Sequence, residues 1–377
     1  MRRGFLFILD KNRELIHPCQ SNDAGVFGIF DSMKKILLIV LTVFLVTAAF
    51  AAWKIFGPTL SDKHGKFLYI KTGEIYQGIT DSLVKQGYLS SSFWFEKVGS
   101  IVGYDANNVK PGKYKINNGM SLFNLVRMLK NGRQTPVNLI ITKLRTKEDF
   151  AKKAGSLFEC DSLAIISFIN NPDSLKQFGL DTNTVMTAVI PNTYTYYWNT
   201  TPKKIFQKLN EYAGQFWTEE RRNKASSHGL SPAGAYTLAS IIEEESNAKE
   251  DKGNIASVYL NRIAKGMPLQ ADPTIKFALK DFGLKRIYFK HLDVESPYNT
   301  YRNKGLPPGP VCTPSQETID DVLNSPKTDY LYFVAASDLS GKSVFASDYD
   351  QHMKYAREYQ ATLNKMDSAR KAKQATP

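Results

Sequence analysis

Three consecutive glutamates, Glu243-Glu244-Glu245, close a segment that otherwise reads as an apolar helix, and of all residues here they have the clearest capacity for chemistry. Negative charge at a helix C-terminus opposes the macrodipole, so helix stability alone does not account for them. A carboxyl that is partly desolvated beside a like charge has its pKa raised, and near neutral pH it can then donate a proton. Amides, hydroxyls and a ring suited to a hydroxyl-rich ligand follow downstream: Asn247, Asn261, Gln270, Thr274, Asn299 and Tyr301, with the charged Arg262 and Asp272 among them. For Gln270, Asn261 and Tyr301 a plainer role, a polar group satisfying backbone at a turn or helix end, stands beside that of a sugar contact.

The helix that must position the glutamates opens at Ser231-Pro232, a capping hydroxyl followed by proline at the first helical position. At about 100° per residue, Ala235, Leu238, Ala239, Ile242 and Ser246 form one buried stripe. Glu244 falls opposite that stripe and is expected to face water, while Glu243 and Glu245 fall on its two edges. Periodicity excludes Glu244 and leaves the other two equivalent. A second helix, about 252–264, carries an apolar face of Ile255, Ala256, Tyr259, Leu260 and Ile263 and ends at Gly266.

Other chemistries find no support. Cys19, Cys160 and Cys312 are too few and too scattered for a disulfide framework or a zinc site, and Cys160 and Cys312 read as small buried hydrophobes. His228, His291 and His352 are isolated and read as structural, and no metal or cofactor is implied. The net charge of +13 asks for an acidic partner. There is no zinc-finger spacing, basic heptad helix or RNA-reading aromatic signature, so nucleic acid is not the expected partner; anionic lipid or an anionic wall polymer fits.

From Ile36 to Trp53 the chain carries no charge, a length near the lower limit for spanning hydrocarbon. Lys34 and Lys35 precede it, so the positive-inside rule keeps the N-terminus, residues 1–35, in the cytoplasm and sends the rest outward. A cleaved signal peptide is the alternative, because Ala49-Phe50-Ala51 resembles a small-x-small cleavage site. Met33 followed by two lysines reads as a natural start, which makes residues 1–32 an extension unlike either device.

The expected architecture is α+β: one transmembrane helix at 36–56, a small module at 67–135, a larger domain at 136–362 and a flexible basic tail at 363–377. In the small module Phe67–Ile70 reads as a strand, Ile75–Gly87, Ser91–Ile101 and Ser121–Leu129 as helices, and Pro111-Gly112 as a turn before a second extended run. Val137–Ile141 opens the larger domain as a strand, with helices near 147–157, 161–170 and 202–217.

Six motifs in order carry a resemblance: Leu238-Ala-Ser-Ile-Ile-Glu-Glu-Glu-Ser246, Ala256-Ser-Val-Tyr-Leu-Asn-Arg262, Leu269-Gln-Ala-Asp-Pro-Thr274, Tyr298-Asn-Thr-Tyr301, Gly305-Leu-Pro-Pro-Gly-Pro310 and Tyr330-Leu-Tyr-Phe-Val334. Together they resemble the endolytic murein transglycosylases, the MltG or YceG-like family, over about residues 67 to 360. The resemblance implies a LysM-like small module and a single-pass inner-membrane protein with its catalytic domain in the periplasm. It also implies cleavage of the β-1,4 bond between N-acetylmuramic acid and N-acetylglucosamine in nascent strands, leaving 1,6-anhydromuramyl ends. Its partners are then glycan strands, the inner membrane and peptidoglycan synthases.

By the same resemblance the first glutamate, Glu243, is the catalytic acid and then base, Glu245 raises its pKa or orders the site, and Arg262 holds a stem-peptide carboxylate or pairs with a core acid. One carboxyl suffices where most glycosidases use two, because the nucleophile is the substrate's own C6 hydroxyl. A non-catalytic glycan-binding scaffold and a water-using muramidase with Glu245 as second carboxylate are the alternatives.

Overall fold

The computed structural model describes residues 23–60 and 66–374 as a mixed helix and sheet protein, 53% helical. Cys19 and residues 1–22 of the expected cytoplasmic segment lie outside the described residues. The first helix, α1 (Asp23–Phe56), contains one stretch, Ser32–Phe56, long and apolar enough to cross a membrane. None of that stretch is buried by the rest of the protein. The hydroxyls of Thr42 and Thr47 donate to the carbonyls of Leu38 and Val43 at 2.7 and 2.9 Å, so both threonines are satisfied within the helix. The helix passes through Lys34-Lys35 unbroken and starts well before the apolar run.

Further along, the chain forms β1 (Phe67–Ile70), α2 (Tyr76–Lys85), α3 (Phe93–Val102), β2 (Gly112–Lys115) and α4 (Leu122–Asn131). β1 and β2 pair antiparallel, Phe67 opposite Lys115 and Ile70 opposite Gly112. The chain divides into two compact units, and the division runs through the expected small module. One unit takes residues up to Lys66 with Thr80–Asn107 and Ile116–Lys130; the other takes Phe67–Ile79, Asn108–Lys115 and everything from Asn131. In the first unit, α3 buries Phe95 and Val98, and α4 buries Leu122, Leu125, Val126 and Leu129, the spacing of one helix face.

The second unit is built on β3 (Val137–Ile140), α5 (Lys147–Gly155), α6 (Ser162–Asn170), α7 (Pro172–Lys176), β4 (Thr193–Tyr196), α8 (Pro202–Phe216), α9 (Glu219–Ser227), α10 (Pro232–Glu245), α11 (Lys249–Ala264), α12 (Asp272–Leu279), α13 (Gln316–Leu323), β5 (Tyr332–Ala335), β6 (Ser343–Ala346) and α14 (Tyr349–Gln374). β3 and β4 pair antiparallel, and their alternation puts Val137, Leu139, Tyr194 and Tyr196 inward against Phe150 of α5, Ile165 of α6 and Phe206 of α8. A second core surrounds α10, where Tyr236, Leu238, Ile241 and Ile242 meet Ile255 and Tyr259 of α11 and Ile319 and Val322 of α13. The Tyr236 hydroxyl donates to Val189 O at 2.7 Å, and Gln316 Nε2 donates to Pro191 O at 2.9 Å, tying α10 and α13 to the segment before β4.

The C-terminal segment expected to be flexible from residue 363 continues as α14 through Gln374. Residues 375–377 lie outside the described residues. Tyr332, Tyr349 and His352 form a ring cluster that seats the start of α14 on the β5–β6 hairpin.

Candidate active site

At the N-terminus of α10 the Ser231 hydroxyl accepts from Gly234 N at 3.1 Å, and Pro232 occupies the first turn. Every residue from Ala235 to Ile242 is buried, including Tyr236, Thr237, Ser240 and Ile241, which the expected single stripe had left outside. A helix apolar on all sides runs through the middle of a core, so no face of its end is freely solvated.

Glu244 corrects the expectation most plainly. Its side chain is only 15% exposed and is held by Lys143 Nζ at 2.9 Å and Arg145 Nη2 at 3.0 Å. Arg145 Nε reaches the other carboxylate oxygen at 3.2 Å, completing a bidentate fork. The helical wheel describes only the helix that carries Glu244. The loop after β3 covers the side that the wheel assigns to water.

Glu243 and Glu245 project into different surroundings. Oε2 of Glu243 accepts from Lys252 Nζ at 2.9 Å, from Ser315 Oγ at 3.1 Å and from the Thr318 hydroxyl, and Lys252 Nζ also donates to Thr318 Oγ1 at 2.7 Å. Burial pushes the Glu243 pKa up, but these donors outweigh it and hold the carboxyl below its ordinary range. The raised pKa expected of Glu243 is therefore not what its surroundings produce: it is a fixed carboxylate.

Glu245 has the opposite environment. Its Oε2 is out of reach of solvent and has no hydrogen-bond donor. Burial, and then the charge of Asp272, push its pKa up to about 8, against the opposing charges of Lys276 and Arg262. Its surroundings therefore favour the protonated form at neutral pH.

The groups around Glu245 are ordered by the loops before and after α12. Tyr301 OH donates to Asp272 Oδ1 at 2.6 Å, placing a ring and a carboxylate beside the acid. Gln270 is exposed, and its backbone has a φ of 55°, a left-handed conformation rare outside glycine. Gln270 N donates to Thr300 O at 3.1 Å, which holds that strained residue in place.

Arg262 is 8% exposed and spends its guanidinium on carbonyls, Nε on Leu331 O and Nη1 on Leu269 O, both at 2.7 Å. It stacks over Tyr332 at 5.3 Å and forms no ion pair within the described residues, so neither role expected of it, stem-peptide holder or partner of a core acid, matches its contacts.

Asn261 donates to Thr328 O and Tyr330 O, Asn299 to Leu292 O and Val294 O, all at 2.9 Å. Thr274 is buried and bonds Ala271 O and Thr300 Oγ1. These three take the plainer role of holding loops, while Asn247 is exposed on the turn after α10. Thus Glu245, Asp272 and Tyr301 are brought together, and Arg262, whose charge acts on Glu245, reaches Gln270 Oε1 at 3.5 Å. Glu243 stands on the other side of α10 with three residues that sequence reasoning did not single out, Lys252, Ser315 and Thr318. Pro314-Ser315 before a helical run is a readable cap, and Ser315 Oγ does accept from Thr318 N, but nothing local connects it with Glu243. Among the described residues no cluster of three or more His, Cys, Asp or Glu side chains could hold a metal ion.

The arrangement supplies one neutral carboxylic acid next to a carboxylate, a tyrosine and an exposed amide. That set can protonate a leaving oxygen and stabilise positive charge on a sugar ring.

The YceG-like family model matches residues 68–358. A Bacillus subtilis protein named endolytic murein transglycosylase is 30% identical over 318 residues, 78% of this chain and 85% of that protein. A Streptococcus pneumoniae protein of the same name is 27% identical over 326 residues, 77% of this chain and 57% of that one. The crystal structure of a putative yceG-like protein from Listeria monocytogenes superposes with a TM-score of 0.53 at 26% identity, covering 76% of this chain and 97% of that one.

Proposed function

The chain belongs to the YceG-like family, and from that premise we propose that it is an endolytic murein transglycosylase. It cuts the β-1,4 bond between N-acetylmuramic acid and N-acetylglucosamine within nascent glycan strands and leaves 1,6-anhydromuramyl ends. The names of the relatives support the activity. The observation that carries the assignment of the acid is the sequestered, undonated Oε2 of Glu245 beside Asp272.

Glu245 gives its proton to the glycosidic oxygen as the bond from C1 of the muramyl ring breaks. The Asp272 carboxylate, oriented by Tyr301, offsets the charge that develops on the ring. The C6 hydroxyl of the same ring then closes on C1 and returns its proton to Glu245, so the acid is regenerated and no water is consumed. Glu243 holds the end of α10 against α11 and α13 through Lys252, Ser315 and Thr318. A second reading keeps Glu243 as the acid; it is favoured by the convergence of all three donors on Oε2, which leaves Oε1 without one among the described residues.

Digestion of uncrosslinked glycan strands, with mass spectrometry of the products, decides among these readings. Anhydro ends, lighter by one water than hydrolysed ends, are expected from the wild type and not from Glu245→Gln. Reducing ends would make the protein a muramidase, no cleavage would leave a binding scaffold, and loss of cleavage in Glu243→Gln alone would return the acid to Glu243.

The helix Ser32–Phe56 supports a single-pass anchor in the inner membrane, with Lys34-Lys35 on the cytoplasmic side and the catalytic unit in the periplasm. Protection of residues after 66 from protease added to intact spheroplasts would contradict that orientation. The β–α–α–β order from β1 to β2 supports a LysM-like glycan-holding module at 67–135, and peptidoglycan synthases are the class of partner that makes the nascent strand.

A further inference from the structure

We infer that a cationic pocket beside the end of α10 takes the carboxylate of a peptide carried by the glycan strand; this rests on the reading of the substrate as peptidoglycan. The pocket has a volume of about 320 Å³ and is walled by Lys147, Asn170, Thr182, Phe277, Lys280 and Tyr298. That volume lies within the usual range of small-ligand sites, about 300–1,000 Å³.

Its charge is unbalanced. Lys147, the first residue of α5, donates from Nζ to Asn170 Oδ1 at 2.7 Å and to Thr182 O at 3.2 Å. An ammonium has three N–H groups, so one is left over. Neither Lys147 nor Lys280 has a carboxylate at ion-pair distance among the described residues. Arg145 also lines the pocket but is committed to Glu244, and Glu148 is the single acid on the wall. Burial depresses the Lys147 pKa, with the nearby Lys280 charge adding to it against the pull of Glu148, so a bound anion would relieve a cost that the free protein bears.

Lys280 is held at an unusual price in backbone conformation. It caps the C-terminus of α12 at φ 54° and ψ 27°, the left-handed geometry in which glycine is the default. A lysine there is strained, and what it adds is a cation at the pocket. The opposite wall is apolar: the rings of Phe277 and Tyr298 lie 4.7 Å apart between centroids, a surface for aliphatic side chains of a short peptide.

Position completes the case. Arg145 joins the pocket wall to Glu244, and α12 runs from Asp272, whose charge acts on Glu245, to Lys280 at the pocket, about 12 Å along the helix axis, a span that a peptide of a few residues covers. Arg262, the residue expected to hold such a carboxylate, has its guanidinium on backbone carbonyls instead.

The test is calorimetric binding to the full-length protein in detergent, in a Glu243→Gln, Glu245→Gln background so that neither candidate acid can turn the probes over. The probes are a muramyl tetrasaccharide bearing stem peptides, the same glycan stripped of peptide, and a glycerol phosphate oligomer. The peptide-bearing glycan is expected to bind about tenfold tighter than the stripped one, and Lys147→Gln and Lys280→Gly are each expected to erase most of that difference. Lys280→Gly also relieves the left-handed strain, so an unchanged or raised melting temperature identifies lost affinity as lost charge. Equal affinity of the two glycans, or a lysine variant that weakens both alike, overturns the inference. Tighter, lysine-dependent binding of the phosphate oligomer overturns the carboxylate in favour of a wall polymer. Because no cleavage is measured, these outcomes stand apart from failure of the product assay above.

Discussion

Nζ of Lys252 lies 2.9 Å from Oε2 of Glu243, with both side chains largely withdrawn from solvent. This pair favours the anion at one of the two candidate glutamates, whereas burial and Asp272 favour the proton on the other. Breaking a buried pair by removing one partner leaves an uncompensated charge. Lys252→Met is expected to destabilise the protein by about 3 kcal/mol, measured by chemical denaturation, and Glu243→Gln in the same chain should recover part of that loss. A double variant no better than Lys252→Met alone would show that the pair is not what the lysine contributes.

The same pair sets an acid limit. The folded pKa of Glu243 is below its ordinary value of 4.5, so its stabilisation is present above that value and is lost as pH falls through the folded pKa. Acid unfolding monitored by circular dichroism is expected to begin at higher pH in Lys252→Met than in the wild type.

Glu245 has the opposite linkage. Its folded pKa of about 8 is above its ordinary value of 4.5, so the favourable contribution of the protonated form is complete below 4.5 and lost as pH rises through about 8. Glu245→Gln cannot ionise, and between pH 5 and 9 it is expected to gain roughly 1–3 kcal/mol over the wild type. Parallel thermal melts across that range would refute the raised pKa.

In catalysis the same variant is expected to lower kcat by about a thousandfold, the middle of the range for loss of a general acid. The wild-type rate should fall as pH rises past about 8, because the donor ionises there. A rate that keeps rising to pH 10 would exclude Glu245 as the proton donor.

Gly309 tests the loop that packs over the segment before β4. A Cβ at this position would run into the backbone carbonyl of Asn183, which cannot rotate away, and come within 3.1 Å of Tyr298 OH. Gly309→Ala is expected to cost about 2 kcal/mol, read as a lower melting temperature. An unchanged melt would mean that the loop yields freely.

Much of this protein is readable locally. The uncharged run from Ile36, the Ser231-Pro232 cap and the alternation of Val137–Ile140 each depend on neighbours within one or two turns, and each appears where its pattern places it. Shorter patterns are harder to read: α13 follows the proline- and glycine-rich run Gly305–Pro314, while α12 has eight residues and β5 and β6 four each, too few for a period to stand out. Among the polar residues singled out, Asn261, Thr274 and Asn299 have the right chemistry for a sugar but are already bonded to loops, and residue type does not reveal which carbonyl an amide will meet.

The amino-acid sequence by itself determined that three carboxyls end a helix with an apolar face and that a helix fit to span a membrane precedes them. The family's motifs were legible as well. Only the tertiary structure decided how those carboxyls differ. Azimuth on a helix follows from counting residues, whereas a pKa follows from desolvation and from donors that arrive from elsewhere in the chain. Ser315 and Thr318 come from over seventy positions away to hold the Glu243 pKa down, and Lys143 and Arg145 come from about a hundred to cover Glu244. Glu245, facing Asp272 with no donor of its own, is left with the proton.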